Sequence, residues 1–298
     1  MVYYKDDLKE YIDNSVKRTF SESMKVRLSK TLAEKYDNGE FKEYLGVMDE
    51  YLNEVKSLGI STPFNSNPFL YVYIVPLDEA SKLLSIPRAF DTGVGGGKPV
   101  TCYDLDGYVS AYGVSENLAS RKCDNMTVAS EENSIHEMAH IIQSMYFTGK
   151  SMMGEGFAET VALFGLDYED KFDSHRELIA NLEERDIVSP KELVVEEREM
   201  MFGYKSLVPN STCSFRASYV SSYLFVRGIV EKIMEDKNLS KGKALEEFLN
   251  IVRIAKHSGG EYLVFDIADA LGMDKEELLL TKNLQLKVKE SISKTKTK

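Results

Sequence analysis

The feature that most constrains this chain is the pentad His136-Glu137-Met138-Ala139-His140, an HExxH pattern with apolar residues on both sides. On an α-helix, residues four apart lie on the same face, so both imidazoles can point at one metal ion. Glu137 can then reach a water molecule beside that ion. The pentad therefore predicts a metal-binding helix, and zinc is the expected ion, with one Zn²⁺ per chain. A simpler interpretation is a helix that carries two surface histidines and binds no metal.

The composition is that of an ordinary globular protein of 298 residues, with 43% apolar and 29% charged residues. This length suits one large domain or two lobes that share a cleft. A formal net charge of −11 argues against a nucleic-acid or anionic-membrane partner. The first residues have no basic segment followed by an apolar one, so no signal peptide is expected, and no apolar run approaches the length of a membrane span. Three widely spaced cysteines favour reduced thiols, so a cytoplasmic location is expected.

The first sixty residues are predicted to be helical. Two runs place apolar side chains at helical spacing: Leu8, Tyr11, Ile12 and Val16, then Met24, Leu28, Leu32 and Tyr36. A third run extends from Tyr44 to Leu58, and the glycine that follows, Gly59, suits a helix C-terminus.

The next part of the chain is predicted to form strands. Residues 69–75 are aromatic and β-branched, as expected of a buried strand, and residues 99–103 and 107–112 indicate two more. The glycine-rich stretch from Thr92 to Lys98 is one residue short of a phosphate-binding loop and has Pro99 where that loop needs Ser or Thr. It is better interpreted as a turn.

From Ser130 onward the chain is predicted to be helical. The pentad helix should run from an N-cap at Ser130 to about Tyr146, and after a turn at 148–150 a second helix should start near 154–156. Ser174 with Glu177, and Ser189-Pro190 with Glu192, form capping boxes. Further helices are expected over 218–235, from Ser240 and from Glu261, followed by a frayed polar tail at 291–298.

A catalytic zinc needs a third protein ligand and one open position. The segment Gly154-Glu155-Gly156-Phe157-Ala158-Glu159 is the natural source, because Glu155 and Glu159 share a helical face. One carboxylate can bind the metal while the other hydrogen-bonds a ligand imidazole from behind. A solvated acidic face is the simpler alternative.

The pentad and the glutamate segment together resemble the zinc-binding segments of the gluzincin peptidases, the HExxH zinc enzymes whose third ligand is a glutamate. The glutamate segment is similar to the family's (N/S)EGxAE pattern, which implies that Glu155 binds zinc and that Glu159 supports the site. One departure is the connection: 14 residues separate His140 from Glu155. This spacing is shorter than in thermolysin or the gluzincin aminopeptidases, so residue counting favours Glu159 as the ligand while local context favours Glu155.

The resemblance extends downstream. The segment from Tyr219 to Arg227 resembles a YxxSYxFVRYL-type helix, and the segment from Ala270 to Leu278 resembles the LG-x-(S/D)-x-EEL segment of peptidase MA-like domains. The first likeness implies that Tyr219 donates a hydrogen bond to the developing oxyanion, although packing in the core is an open alternative for any one tyrosine. Other residues could serve as that donor: Tyr223, Tyr204 and His257.

The resemblance implies an α+β, zincin-like fold, with a small mixed β-sheet, N-terminal helices and a helical C-terminal lobe, and the zinc site in the cleft between. The expected domains are an N-terminal helical region, 1–65, and a metallopeptidase domain, 66–298. Within the second domain, residues 66–125 would be β-rich, and residues 126–298 would carry the active site and the helical part.

The expected activity is hydrolysis of a peptide or protein substrate, with Glu137 as general base and then general acid. The aminopeptidase segment GxMEN, which holds a free amine, is not found, so an endopeptidase or short-peptide peptidase is favoured over an aminopeptidase. An extended substrate is expected to pair with an edge strand near residues 99–103. The alternative function is a catalytically silent zincin that serves as a peptide-binding or regulatory module. The oligomeric state is left open.

Overall fold

The computed structural model describes residues 6–60, 69–83, 97–104, 107–120, 128–143, 152–168, 178–193, 212–255 and 261–294. The fold is mixed α/β, mostly helical, with one small mixed sheet. The chain divides into two compact units, one of Met1–Ser57 with Ser61–Ile142 and one of Leu58–Ile60 with Gln143–Lys298. The sequence predicts boundaries at residues 65 and 125, which do not coincide with the limits of these two units and stay predictions.

The first unit contains a five-stranded sheet. Its strands are β1 (Val16–Thr19), β2 (Met24–Leu28), β3 (Leu70–Val75), β4 (Gly97–Asp104) and β5 (Gly107–Ser115). Their order is β1-β2-β3-β5-β4. The pairs β2–β3 and β3–β5 are parallel, whereas β1–β2 and β4–β5 are antiparallel.

The three strands expected from the aromatic and β-branched segments are confirmed as β3, β4 and β5. Strand β3 is central, and all six of its residues are buried, as its unbroken apolar sequence requires. Strand β4 is an edge strand, where a proline is tolerated. Its Pro99 lies opposite Tyr112 of β5.

The helical prediction for the first sixty residues is partly wrong. Helices α1 (Asp6–Asn14), α2 (Lys30–Asp37) and α3 (Lys42–Ser57) are present, but residues 16–19 and 24–28 are strands. Met24 and Leu28 are four apart, a spacing that fits two strand repeats as well as one helical turn. Val26 between them is also buried, as the two-residue period of a strand predicts.

The end of α3 follows the prediction. The helix stops at Ser57, and Gly59 adopts a positive φ of 68°, the left-handed conformation that glycine adopts without strain. The first unit also contains short helices α4 (Leu77–Leu83) and α5 (Glu116–Ala119), and the pentad helix α6 (Val128–Gln143). Because α6 begins at Val128, Ser130 lies inside the helix, and its prediction as N-cap is wrong.

The second unit is helical. It contains α7 (Met152–Glu159), a π-helix (Thr160–Gly165), a 3₁₀ turn (Glu184–Asp186), α8 (Thr212–Lys237), α9 (Lys241–Ala255), α10 (Glu261–Leu271), α11 (Lys275–Leu280) and α12 (Asn283–Lys294). The helices expected over 218–235, from Ser240 and from Glu261 are therefore confirmed. Stacked rings of Phe157 and Phe248, with centroids 6.0 Å apart, join α7 to α9 in the core.

The capping box at Ser189 is confirmed. The backbone N–H of Ser189 donates to Glu192 Oε2 at 2.8 Å, and the backbone N–H of Glu192 donates to Ser189 Oγ at 3.4 Å. The frayed tail is wrong for residues 291–294, which belong to α12. The predicted capping box at Ser174 and the turn at 148–150 lie outside the described residues. Of the helices that the structure describes, none is both long and apolar enough to cross a membrane.

Candidate metal centre

Helix α6 carries the two histidines, and its apolar residues anchor it. Five side chains that flank or interrupt the pentad are buried: Ile135, Met138, Ala139, Ile141 and Ile142. His136 is only 7% exposed, whereas Glu137 and His140 are half-buried. The helix therefore holds its imidazoles and the carboxylate of Glu137 on a fixed backbone, as a preorganised site requires.

The two imidazoles converge. The Nε2 atoms of His136 and His140 lie 3.0 Å apart, and the ring planes meet at 84° with centroids 4.6 Å apart. Two imidazole nitrogens bound to one tetrahedral zinc at about 2.05 Å would lie about 3.3 Å apart. The observed separation is close to that value, so the pair fits a shared metal ion with only a small movement of the rings.

Glu155 completes a group that could hold a metal ion. A nitrogen of each histidine and a carboxylate oxygen of Glu155 all lie within 4.8 Å of one another. Glu159 is not part of this group. Two histidines and one carboxylate are the ligand set of several catalytic zinc sites. The geometry therefore supports the assignment that local context favoured over residue counting, while the roles of the individual residues stay predictions.

Two glycines set the position of Glu155 on α7. A Cβ atom on Gly156 would lie 2.5 Å from the backbone oxygen of Ser222 in α8, so the two helix backbones approach at a point where only glycine fits. A Cβ atom on Gly154 would run into the buried side chain of Gln143, whose Cδ would be 3.0 Å away. Close packing against backbone therefore explains the glycine at Gly156, whereas at Gly154 the flexible side chain of Gln143 would have to move.

Glu159 lies one helical turn after Glu155 and is 7% exposed. The π-helix begins at the next residue, Thr160, whose hydroxyl donates to the backbone oxygen of Gly156 at 2.6 Å. A π-helical turn is uncommon, and such turns are frequently found at functional sites.

Tyr223 of α8 is fully buried, and its hydroxyl accepts a hydrogen bond from Arg227 Nη1 at 2.8 Å. Burial raises the pKa of Tyr223 well above its ordinary value, and the negative charges of Glu159 and Glu231 raise it further. The phenol is therefore neutral over the whole physiological range. The role of Tyr223 as an alternative donor to the oxyanion stays a prediction.

Arg227 is a buried cation of α8 for which the sequence predicts no role. Its Nε donates to Glu231 Oε1 at 2.9 Å, and burial lowers the pKa of its guanidinium, an effect that Glu231 opposes. Tyr223, Arg227 and Glu231 follow one another at intervals of four, so the helical spacing could have indicated a polar row along α8.

Of the other proposed donors, Tyr219 lies within the described part of the chain. Tyr219 lies in α8 one turn before Tyr223 and is half-buried, and its role as oxyanion donor stays a prediction. Tyr204, His257 and most of the glycine-rich stretch, residues 92–96, lie outside the described residues.

Comparison with protein families, with curated proteins and with solved structures finds no match to this chain. The resemblance to gluzincins therefore rests on the chain's own segments, and membership of that family stays a prediction.

Proposed function

We propose that the protein is a zinc-dependent peptidase of the gluzincin type, with a zincin-like fold and one Zn²⁺ per chain. The observation that carries the proposal is the convergence of the two pentad histidines with the carboxylate of Glu155, within 4.8 Å. The HExxH pattern supports a catalytic metal site, because Glu137 follows the ligand His136 directly and is placed to act as a general base. The widely spaced cysteines favour a cytoplasmic location.

His136, His140 and Glu155 would hold the ion. Bound there, zinc would lower the pKa of a water molecule and polarise the carbonyl of the scissile peptide. Glu137 then accepts a proton from the attacking water and passes it to the nitrogen of the departing amine, so that one carboxylate serves as base and then as acid. Tyr219 is the proposed donor to the oxyanion.

The proposed substrate is an extended peptide. Strand β4 is an edge of the sheet, so a peptide can add to it by main-chain hydrogen bonds. The chain has no GxMEN segment to hold a free amine. We therefore favour an endopeptidase or short-peptide peptidase over an aminopeptidase.

Glu137→Gln tests the chemistry. The variant keeps a side chain of the same size but removes the base, so we expect one equivalent of zinc to be retained and cleavage of a mixed fluorogenic peptide library to fall by at least about 10²-fold. Glu155→Gln and Glu159→Gln are the matched pair for the third ligand. Only the first should lose most of its zinc, as measured by elemental analysis.

Two outcomes would contradict the proposal at different points. Less than about half an equivalent of zinc in the unsubstituted protein would remove the metal site itself. A full equivalent of zinc with no cleavage of any peptide in the library would favour the catalytically silent peptide-binding module instead.

A further inference from the structure

Glu155 lies where a helix alone would hold it poorly. Helix α7 has only eight residues, and Glu155 is in its first turn. A helix this short is not stable on its own, and the backbone N–H groups of its first turn have no partners within the helix. The position of Glu155 therefore depends on what packs against the residues on either side of it, Gly154 and Gly156.

The contact at Gly156 fixes α7 against α8. A Cβ atom there would lie 2.5 Å from the backbone oxygen of Ser222, so the two helices touch through their backbones. This contact seats α7 within the helical unit, but α8 is not the helix that carries the histidines of the pentad. It therefore cannot by itself set the distance from Glu155 to those histidines.

Gln143 supplies a contact on the other side of Glu155. It is the last residue of α6 and lies three residues after His140, so the two side chains project from the same side of one helix. The side chain of Gln143 is only 4% exposed. Outside its own helix, the three atoms nearest to a Cβ atom on Gly154 all belong to the amide of Gln143, with Cδ and Oε1 at 3.0 Å. The amide therefore packs directly on the backbone of the residue that precedes Glu155.

This contact joins the two ends of the stretch between the second histidine and the glutamate. Only 14 residues separate His140 from Glu155. The contact begins one helical turn after His140 and ends one residue before Glu155. A buried side chain packed on backbone has few alternative rotamers, so it can hold the two ends of such a stretch at a fixed separation.

We propose that Gln143 is a positioning residue, whose buried amide packs on the backbone of Gly154 and so holds Glu155 at the distance from the two histidines that metal binding requires. The inference rests on the proposed function, since it concerns the same metal site, but metal affinity tests it without any peptide cleavage. It differs from a packing role, because a residue that only packs changes stability and leaves the zinc dissociation constant of the folded protein unaltered.

The experiment measures the zinc dissociation constant by chelator competition and, on the metal-free protein, the melting temperature. Gln143→Ala removes the amide, and Gly154→Ala places a methyl group where the amide lies. We expect each single variant to weaken zinc binding by about tenfold or more, the usual effect of losing a residue that supports a metal ligand. In the double variant the methyl group enters space that the amide has left, so zinc binding should be no weaker than in Gln143→Ala alone.

Two control variants separate positioning from stability. Gln285→Ala removes another buried glutamine of the helical unit, whose Nε2 donates to the backbone oxygens of Val188 at 2.8 Å and of Ser221 at 3.0 Å. Gly228→Ala adds a methyl group to α8 at 3.0 Å from Leu284 Cβ. Both should keep the zinc dissociation constant within about twofold of the unsubstituted value, even where the melting temperature falls. A tenfold weakening in both controls would overturn the inference, because any loss of packing in the unit would then be enough.

The inference is also overturned if Gln143→Ala binds zinc within about twofold of the unsubstituted protein, or if the losses of the two single variants multiply in the double variant. If Gln143→Ala does not fold, Gly154→Ala decides the matter by the same twofold criterion. An unsubstituted protein that binds no zinc overturns the metal site and this inference together. One that binds zinc without cleaving peptides overturns only the peptidase activity, and weakened zinc binding by Gln143→Ala then still supports the role of Gln143.

Discussion

Gly156→Ala should destabilise the protein although alanine is the better helix former. At an unconstrained helical position, glycine to alanine gains about 1 kcal/mol. At Gly156 the added methyl group would lie 2.5 Å from the backbone oxygen of Ser222 and 2.7 Å from its carbonyl carbon. Backbone atoms cannot rotate away as a flexible side chain would, so α7 or α8 has to move.

The size of the effect is the cost of the steric clash less the gain in helix propensity. Forcing an extra methyl group into a packed interior costs about 1–3 kcal/mol, and more where backbone has to shift. Subtracting the gain in helix propensity of about 1 kcal/mol leaves a net loss of up to about 2 kcal/mol. With a urea m-value of about 2 kcal/mol/M, the midpoint of unfolding should fall by up to about 1 M.

Urea unfolding followed by circular dichroism at 222 nm measures this shift, because the chain has no tryptophan to report by fluorescence. Gly46→Ala is the matched control, since Gly46 lies in α3 and a Cβ atom there would meet nothing within 4 Å. That variant should be slightly stabilised. If Gly156→Ala unfolds at the same urea concentration as Gly46→Ala or higher, the close approach of α7 and α8 is refuted.

Two further predictions concern stability. Burial raises the pKa of Tyr11 above its ordinary value of 10.0, so its stabilising effect is complete below about pH 10 and is lost as the pH rises beyond that. Tyr11→Phe should therefore flatten the alkaline part of the stability–pH profile, and an unchanged profile would contradict this. Ser189→Ala removes the cap whose hydroxyl donates to Glu192 Oε2 at 2.7 Å and holds the pKa of that carboxyl below its usual value. It should cost about 0.5–1 kcal/mol at pH 7, and less as the pH falls and Glu192 is protonated in both states, with the loss read from thermal melts at pH 7 and pH 3.

The sequence predicts well those parts of the fold in which the local pattern of apolar residues is typical of one kind of element, a strand or a helix. Strand β3 is a short run rich in β-branched and aromatic residues with prolines on both sides, which favours a buried strand, whereas α3 has a clear helical repeat and a glycine at its end. The helical prediction for residues 24–28 is wrong because the spacing of Met24 and Leu28 suits a strand as well as a helix. The pairing of β2 with β3 across more than forty residues, which stabilises the strand, cannot be read from a local window.

The candidate site divides in the same way. The spacing of His136 and His140 is a property of one helix, so their convergence follows from the sequence. Local sequence does not decide between Glu155 and Glu159, because the grouping of Glu155 with the two histidines depends on tertiary packing. The π-helix after Glu159 has no recognised sequence signal, and the packing of the Arg227 guanidinium over the ring of Phe164 is visible only in three dimensions.

Pro99 has a consequence for anything that adds to the sheet. A proline in an edge strand directs its nitrogen away from the neighbouring strand. Every second residue of a strand repeats this backbone orientation, so the backbone N–H groups of Thr101 and Tyr103 in β4 also point away from the sheet. An added strand finds N–H donors at those two positions and none at Pro99. The edge therefore offers a docking ladder of limited length, long enough for a few residues of a peptide. The same interruption denies a second copy of β4 a continuous template and so protects the protein from edge-to-edge aggregation.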